Sequence, residues 1–151
     1  MTLTDTMLHL MCPDGVGLDL RSETFQLPAG SASVRTARTR TRGQLSDWGG
    51  LDESAFDIAV LVMSELFTNA VVHTDSGVID CFLGVDHERL YVAVADRGES
   101  PTGPRTRLAG IRDESGRGLL IVGRLTKEWG VGPGEDGMGR VVWAALRISA
   151  A

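Results

Sequence analysis

The alternation of apolar and polar residues predicts a long helix near the middle of the chain. In "DIAVLVMSELFTNAVVHTDSG" the apolar positions recur at intervals of three and four residues, at Ile58, Leu61, Val62, Leu66 and Ala70. This spacing is typical of a helix with one buried stripe. Asp52 is placed to cap the start of the helix, which is expected to end at about Val72 or His73.

Alternation with a period of two predicts strands on both sides of this helix. The stretches "GVIDCFLGVD" and "RLYVAVAD" predict a hairpin with its turn around Asp86 and His87. The closing stretch "WGVGPGEDGMGRVVWAALRIS" predicts a second hairpin around a glycine-rich turn. Before the long helix, "ETFQLP" predicts a short strand that ends at Pro28.

Two further helices and an arm complete the pattern. The stretch "SASVRTARTRTRGQLSDWGG" predicts a helix with Ser31 as N-cap and Gly49-Gly50 as the stop signal. The stretch "GLLIVGRLTKEW" predicts a helix that begins just after Gly118. The long polar loop before it is rich in Gly and Pro, which is typical of a functional or a disordered segment. Residues 1–20 are mixed in character, and we expect them to form a loosely ordered arm.

The order of these elements predicts the fold class. Strands joined by hairpins give a mostly antiparallel mixed sheet, and the helices then gather on one face of it. We therefore expect an α+β fold, a two-layer α/β sandwich, in which residues 21–151 form a single domain.

Size, charge and cysteine content narrow the class of protein. A chain of 151 residues can bury roughly 70% of its unfolded surface without a disulfide or a metal. The net charge of −5 and the pI near 5.1 argue against nucleic acid as the main partner. Cys12 and Cys81 are too few for a disulfide framework or a zinc site, and no apolar run approaches the roughly 20 residues of a membrane span. We expect a cytoplasmic protein with reduced thiols and no membrane contact.

Glu65 and Asn69 lie within the apolar stripe of the long helix or on its edge. A carboxylate that faces a core costs free energy unless something pairs with it. The two residues are one turn apart and would project side by side into a cleft between helix and sheet. An Asn oxygen suits Mg²⁺ that already carries phosphate and water ligands, and a Glu can accept a proton from an attacking hydroxyl. The alternative is a pair at the helix edge that bonds to a neighbouring loop.

Three short motifs occur in one order along the chain: "ELFTNA" on the long helix, "VADRG" at a strand end and "SGRGLLIV" where a glycine loop opens a helix. Together they resemble the GHKL ATPase superfamily, which includes gyrase and the histidine kinases. The closest resemblance is to its single-domain branch, the anti-sigma-factor serine/threonine kinases, and it runs from about Phe25 to Leu146. The resemblance implies a Bergerat-type ATP-binding fold with ATP and Mg²⁺ as cofactors. It also implies that Asn69 is the metal ligand and Glu65 the catalytic general base.

The resemblance implies binding roles at two other places. Asp96 would accept a hydrogen bond from the adenine amine, and Gly98 would let the backbone pass close to the base. The alternative for Asp96 is a strand-end residue that begins a turn. Backbone N–H groups and the dipole at the start of the next helix attract anions. The nucleotide phosphates would bind there, at Gly116, Arg117, Gly118 and Leu119.

The chain departs from the family pattern at two points. The second glycine that often follows the first is replaced around Glu99 and Ser100, which changes the geometry expected of the following loop. Relatives often carry Gly-Thr or Lys-Thr near the start of the last strand, where this chain has Gly139, Arg140 and Val141. The hydroxyl that would touch the cleft is missing, and weaker nucleotide binding is expected.

The leading functional hypothesis is an ATP-Mg²⁺-binding regulatory protein that holds a sigma factor and phosphorylates an antagonist, an anti-anti-sigma protein. One alternative is a nucleotide-binding or partner-binding module without phosphotransfer, and another is a scaffold that binds no nucleotide. The arginine run from Arg35 to Arg42 is either a solvated helix face or a docking face for an acidic protein. Relatives of this type often dimerise, so the resemblance also allows a homodimer.

Overall fold

The computed structural model describes residues 3–15, 19–74, 76–98, 126, 128–134 and 137–148. Its helices and strands are α1 Leu3–Met11, β1 Arg21–Pro28, α2 Ser33–Trp48, α3 Glu53–His73, β2 Val78–Val85, β3 Arg89–Asp96, β4 Glu128–Pro133 and β5 Arg140–Arg147. The helix predicted from "GLLIVGRLTKEW" and the polar loop before it lie mostly outside the described residues. The last two residues of that stretch, Glu128 and Trp129, begin β4 and are not helical, which corrects the predicted end of the helix.

The described strands form one antiparallel sheet in the order β1-β2-β3-β5-β4. β2 and β3 form the first predicted hairpin, with Ile79 opposite Asp96 at its open end. At its turn, the Asp86 carboxylate accepts hydrogen bonds from the backbone N–H groups of Glu88 and Arg89. β4 and β5 form the second predicted hairpin. The period of two in the sequence therefore predicted both hairpins correctly.

The main core lies between the sheet and the helices α2 and α3. Alternate strand residues face these helices, as Val92 and Val94 do in β3, and α3 contributes Leu66 and Phe67. None of these four side chains is more than 1% exposed. Burying a side chain of this size contributes about 1.5–3 kcal/mol. The predicted α+β class, a sandwich of helices on an open antiparallel sheet, is confirmed.

The opposite face of the sheet is covered by α1. Met7 and Met11 of α1 form a second cluster with Phe82 and Tyr91, which point away from α2 and α3. The sequence predicted a loosely ordered arm here and helices on one face, whereas the structure places Leu3–Met11 in a helix on the second face. The reason is that β2 and β3 are apolar on both faces. A second apolar face is stable only when another element covers it.

Capping explains where α2 and α3 begin and end. The Asp52 carboxylate accepts a hydrogen bond from Ala55 N at 2.7 Å, which confirms the predicted N-cap of α3. α2 ends at Gly49, whose φ of 69° confirms the predicted glycine stop. The predicted Ser31 cap is wrong. The N-cap of α2 is Ala32, which makes no side-chain hydrogen bond. The chain enters this helix through backbone hydrogen bonds instead.

α3 is a long and apolar helix of 21 residues. By length and composition alone it could cross a membrane, since its mean hydropathy is 1.7 over a window of 18 residues. This corrects the expectation that no apolar run approaches such a length. Half of that window is buried inside the domain, as in the central helix of a packed core, so the helix is weak evidence for a membrane span.

Candidate functional site

The last turns of α3 and the end of β3 lie at the same end of the domain. α3 ends at His73, and the chain then enters β2 at Val78. The first residues of β2 pair with the end of β3. Asp96 is two residues beyond Val94, so it continues the series of β3 side chains that face α3. The fold therefore brings Asn69, one turn before the end of α3, and Asp96 to the same end of the interface between helix and sheet.

Asn69 is a buried polar residue without a hydrogen-bond partner. Its side chain is 1% exposed, and neither Nδ2 nor Oδ1 has a hydrogen-bond partner among the described residues. A buried polar group left without a partner costs about 1–3 kcal/mol. The alternative of a helix-edge pair bonded to a neighbouring loop finds no support in the described part of the chain. An orphaned amide of this kind is expected where a ligand completes the hydrogen bonds.

Glu65 lies one turn before Asn69 on α3 and is partly buried. One turn of helix corresponds to roughly 5–6 Å along the axis, so both side chains are on the same face. Within the described residues, Glu65 makes no hydrogen bond or ion pair. Its carboxylate is therefore not committed to a structural partner there, as a proton acceptor in a cleft requires.

Asp96 is held at the end of β3 by backbone donors and by an arginine. Its side chain is fully buried, and Oδ1 accepts hydrogen bonds from Gly98 N at 3.2 Å and Arg140 N at 3.3 Å. The second oxygen, Oδ2, lies 3.6 Å from Nε of Arg140, whose side chain is 4% exposed. The Gly98 bond shows that Asp96 does begin a turn, as the alternative reading holds. Oδ2 takes no part in that turn.

Gly139 lets the backbone just before β5 pass close to the backbone at the end of β3. It has a φ of 64°, and a Cβ at this position would lie 2.6 Å from Asp96 Oδ1 and 2.8 Å from Gly98 N. No side chain fits there. At Gly98, an added Cβ would meet Gly139 Cα at 3.3 Å. The predicted close approach at Gly98 is therefore seen between two backbone segments, and its approach to a base stays a prediction.

The contact between Arg140 and Asp96 is a feature of the candidate site that the sequence did not reveal. The sequence marks Arg140 only as part of the stretch Gly139, Arg140 and Val141, which departs from the Gly-Thr or Lys-Thr pattern of relatives. One signal in the sequence and the strand register in the structure together account for the contact. Arg140 is two residues before Val142 in β5, so its side chain lies on the same face of the sheet as those of Val142 and Ala144, which face α3. In the sheet, Ala95 pairs with Val141, so the next residues along both strands, Asp96 and Arg140, are neighbours.

The predicted phosphate site lies outside the described residues. Gly116, Arg117, Gly118 and Leu119 all belong to the part of the chain that the structure does not describe. The same holds for the departure around Glu99 and Ser100. The described structure places Asn69 and Asp96 at the same end of the interface between α3 and the sheet. Glu65 lies one turn earlier on α3, Gly98 follows Asp96 by two residues, and the phosphate-binding role stays a prediction.

The residues present fit an adenine nucleotide with a divalent cation. The orphaned Asn69 amide offers one neutral oxygen, which suits Mg²⁺ that takes most of its ligands from phosphate and water. Asp96 offers a buried carboxylate, the acceptor that an exocyclic amine requires, although Arg140 already faces one of its oxygens.

Comparison with known proteins supports an ATP-binding domain. A search of curated proteins finds no match. The family model for the histidine kinase-like ATPase domain matches residues 27–145 of the 151-residue chain. The matched segment includes α2, α3, β2, β3 and β4, with Glu65, Asn69, Asp96 and Arg140. The protein therefore belongs to the family of histidine kinase-like ATPase domains.

Proposed function

We propose that this member of the family is an ATP-Mg²⁺-dependent regulatory kinase of the anti-sigma type. It holds a protein partner such as a sigma factor and phosphorylates a Ser or Thr of an antagonist protein. The observation that carries the proposal is the orphaned amide of Asn69, buried on α3 one turn after the uncommitted carboxylate of Glu65. A purely structural helix gains nothing from burying an unpaired amide.

Each of these residues has a separate task in the proposed reaction. Asn69 Oδ1 is a neutral oxygen that holds Mg²⁺. Glu65 accepts the proton of the attacking Ser or Thr hydroxyl. Asp96 accepts a hydrogen bond from the base through Oδ2, because Oδ1 is already engaged by backbone N–H groups. Bound ATP-Mg²⁺ supplies the phosphoryl group and neutralises the charge that develops as it is transferred.

The charge on α2 supports an acidic protein as the partner. The helix carries one acidic residue, Asp47, and its arginines are all exposed, at Arg35, Arg38, Arg40 and Arg42. The chain as a whole is acidic, with a net charge of −5, so this positive face is a local feature. Complementary charge steers association and selects among partners.

A second candidate function is a nucleotide-binding or partner-binding module without phosphotransfer. The observation that favours it is Arg140, which faces the carboxylate expected to bind the adenine amine and belongs to the stretch that departs from the Gly-Thr or Lys-Thr pattern of relatives. A protein of this kind would respond to nucleotide binding alone.

Calorimetric titration of ATP with and without Mg²⁺ tests the binding, and transfer of labelled phosphate to a candidate antagonist tests the kinase. We expect micromolar to millimolar affinity that depends on Mg²⁺. At about 100 times the dissociation constant, the nucleotide should add roughly 2.7 kcal/mol of stability. No heat and no shift in Tm at millimolar ATP would exclude the proposed site. Binding without transfer to any antagonist would favour the second candidate.

A further inference from the structure

We infer that Arg140 competes with the base for the carboxylate of Asp96 and so sets how strongly the protein binds adenine nucleotides. This inference rests on the proposed function, since it concerns the same site. It assigns a role to a residue that the sequence marks only as a departure from its relatives. It also names the feature of the ligand that is affected, the exocyclic amine of adenine.

The first step is the burial of the pair. The Asp96 side chain is fully buried and that of Arg140 is 4% exposed, with Nε and Oδ2 3.6 Å apart. Charges on exposed groups are screened by salt and water, whereas buried pairs are screened much less. The guanidinium therefore acts on the carboxylate in the environment where its charge has the most effect.

The second step is that the backbone fixes Arg140 beside the carboxylate. Arg140 N donates to Asp96 Oδ1 at 3.3 Å. Gly139, with its φ of 64°, lets the chain pass against Asp96 and Gly98 at a distance that no other residue allows. Because the main chain is held in this way, the side chain of residue 140 begins next to Asp96 whatever its identity.

The third step concerns which oxygen is left for a base. Two backbone N–H groups use Oδ1. The amine of a bound adenine would approach Oδ2, the oxygen that faces Nε of Arg140. The amine would then donate to an oxygen that already forms an ion pair with Arg140, and the positive charge of Arg140 draws electron density from that oxygen. Adenine binding must weaken or displace the ion pair, and this lowers its affinity.

The decisive experiment compares ATP with purine riboside triphosphate, which lacks the amine at position 6, by calorimetric titration in the presence of Mg²⁺. In Arg140→Thr, ATP should bind about ten- to a hundredfold more tightly than to the unmodified protein, the value of a hydrogen bond to a charged group. The affinity for the analogue should change by less than about threefold, because the analogue has no amine to donate. Arg147→Thr is the matched control, since it makes the same substitution at an exposed position of β5.

A second readout does not involve nucleotide. Removing one partner of a buried ion pair leaves an uncompensated charge, so Arg140→Thr should lower the Tm of the free protein, and Arg147→Thr should not. Saturating ATP should then raise the Tm of Arg140→Thr by more than that of the unmodified protein. If Arg140→Thr does not fold, Arg140→Gln keeps most of the side-chain volume without the charge and should show the same preference for ATP over the analogue.

The other outcomes overturn the inference in distinguishable ways. Equal ATP affinity in the unmodified protein and Arg140→Thr would exclude competition while leaving the proposed function intact. Weaker ATP binding in Arg140→Thr would show that Arg140 assists the nucleotide. Equal tightening for ATP and the analogue would mean that Arg140 obstructs the site by its size. Absence of binding to every variant would remove both the proposed function and the inference.

Discussion

Replacing Asn69 by Leu should stabilise the free protein and abolish Mg²⁺-dependent nucleotide binding. The two effects have opposite signs because Asn69 is buried without a hydrogen-bond partner in the described structure. Removing a buried unsatisfied group recovers about 1–3 kcal/mol. The larger Leu side chain costs part of that gain through tighter packing. A net gain of about 1–2 kcal/mol is expected, which corresponds to a rise in Tm of roughly 2–8 °C for a chain of this size.

Thr41→Val is the matched control for this prediction. Thr41 is also a buried polar residue on a helix, but its hydroxyl donates to Ala37 O at 2.8 Å. Removing a satisfied hydroxyl should destabilise the protein by about 0.5–1.5 kcal/mol and leave nucleotide binding unchanged. The contrast between the two variants separates an amide held for a ligand from ordinary buried polarity.

The assay is thermal unfolding with and without ATP and Mg²⁺, together with calorimetric titration. The unmodified protein should melt at a higher temperature with ligand, whereas Asn69→Leu should melt at the same temperature in both conditions. A fall in Tm of several degrees for free Asn69→Leu would refute the reasoning, because it would show that the amide stabilises the fold. So would unchanged ATP binding in that variant.

The remaining predictions concern the general base Glu65, the backbone contact at Gly139 and the two cysteine thiols. Glu65→Gln should leave ATP binding nearly intact while lowering phosphotransfer by about a hundredfold or more, measured by single-turnover kinetics; a parallel loss of binding would contradict the assignment of a general base. Gly139→Ala should lower the free energy of unfolding in urea by at least about 3 kcal/mol, because its Cβ would overlap the backbone of β3. Gly137→Ala, which has φ of 76° but open space around it, should cost only about 1–2 kcal/mol, and equal losses would show that the overlap is relieved. Burial raises the pKa of the Cys81 thiol to about 12, so a thiol reagent at pH 8 should label the partly exposed Cys12 and reach Cys81 only after unfolding; rapid double labelling of the native protein would contradict this.

The sequence predicted the features that depend on neighbouring residues. The cap at Asp52 and the turn at Asp86 each need only a carboxylate and backbone N–H groups within three residues. The hairpins need only an alternating pattern and a turn. Glu65 and Asn69 were proposed as site residues for the same reason, since they interrupt an apolar stripe that is visible in the sequence; their roles stay predictions.

Features that depend on the register of distant strands were missed. The pair of Asp96 and Arg140 joins residues 44 positions apart, and it follows from the pairing of Ala95 with Val141. The sequence suggested a hairpin for β4 and β5 but not which strand would lie beside β3. The position of α1 was missed because nothing within residues 1–20 identifies the surface of the sheet that α1 covers. That surface is formed by strands more than sixty residues later.

The helix α1, which packs on the second face of the sheet, lies outside the segment that matches the family model. The family shares a segment that begins at residue 27, but β1 begins at Arg21 and α1 at Leu3. A chain trimmed to the shared segment would lose most of an edge strand and would expose Phe82 and Tyr91 to water. Exposed apolar surface of this kind promotes aggregation. We therefore expect residues 27–145 alone to be less stable than the longer chain, and boundaries for expression should include α1 and all of β1.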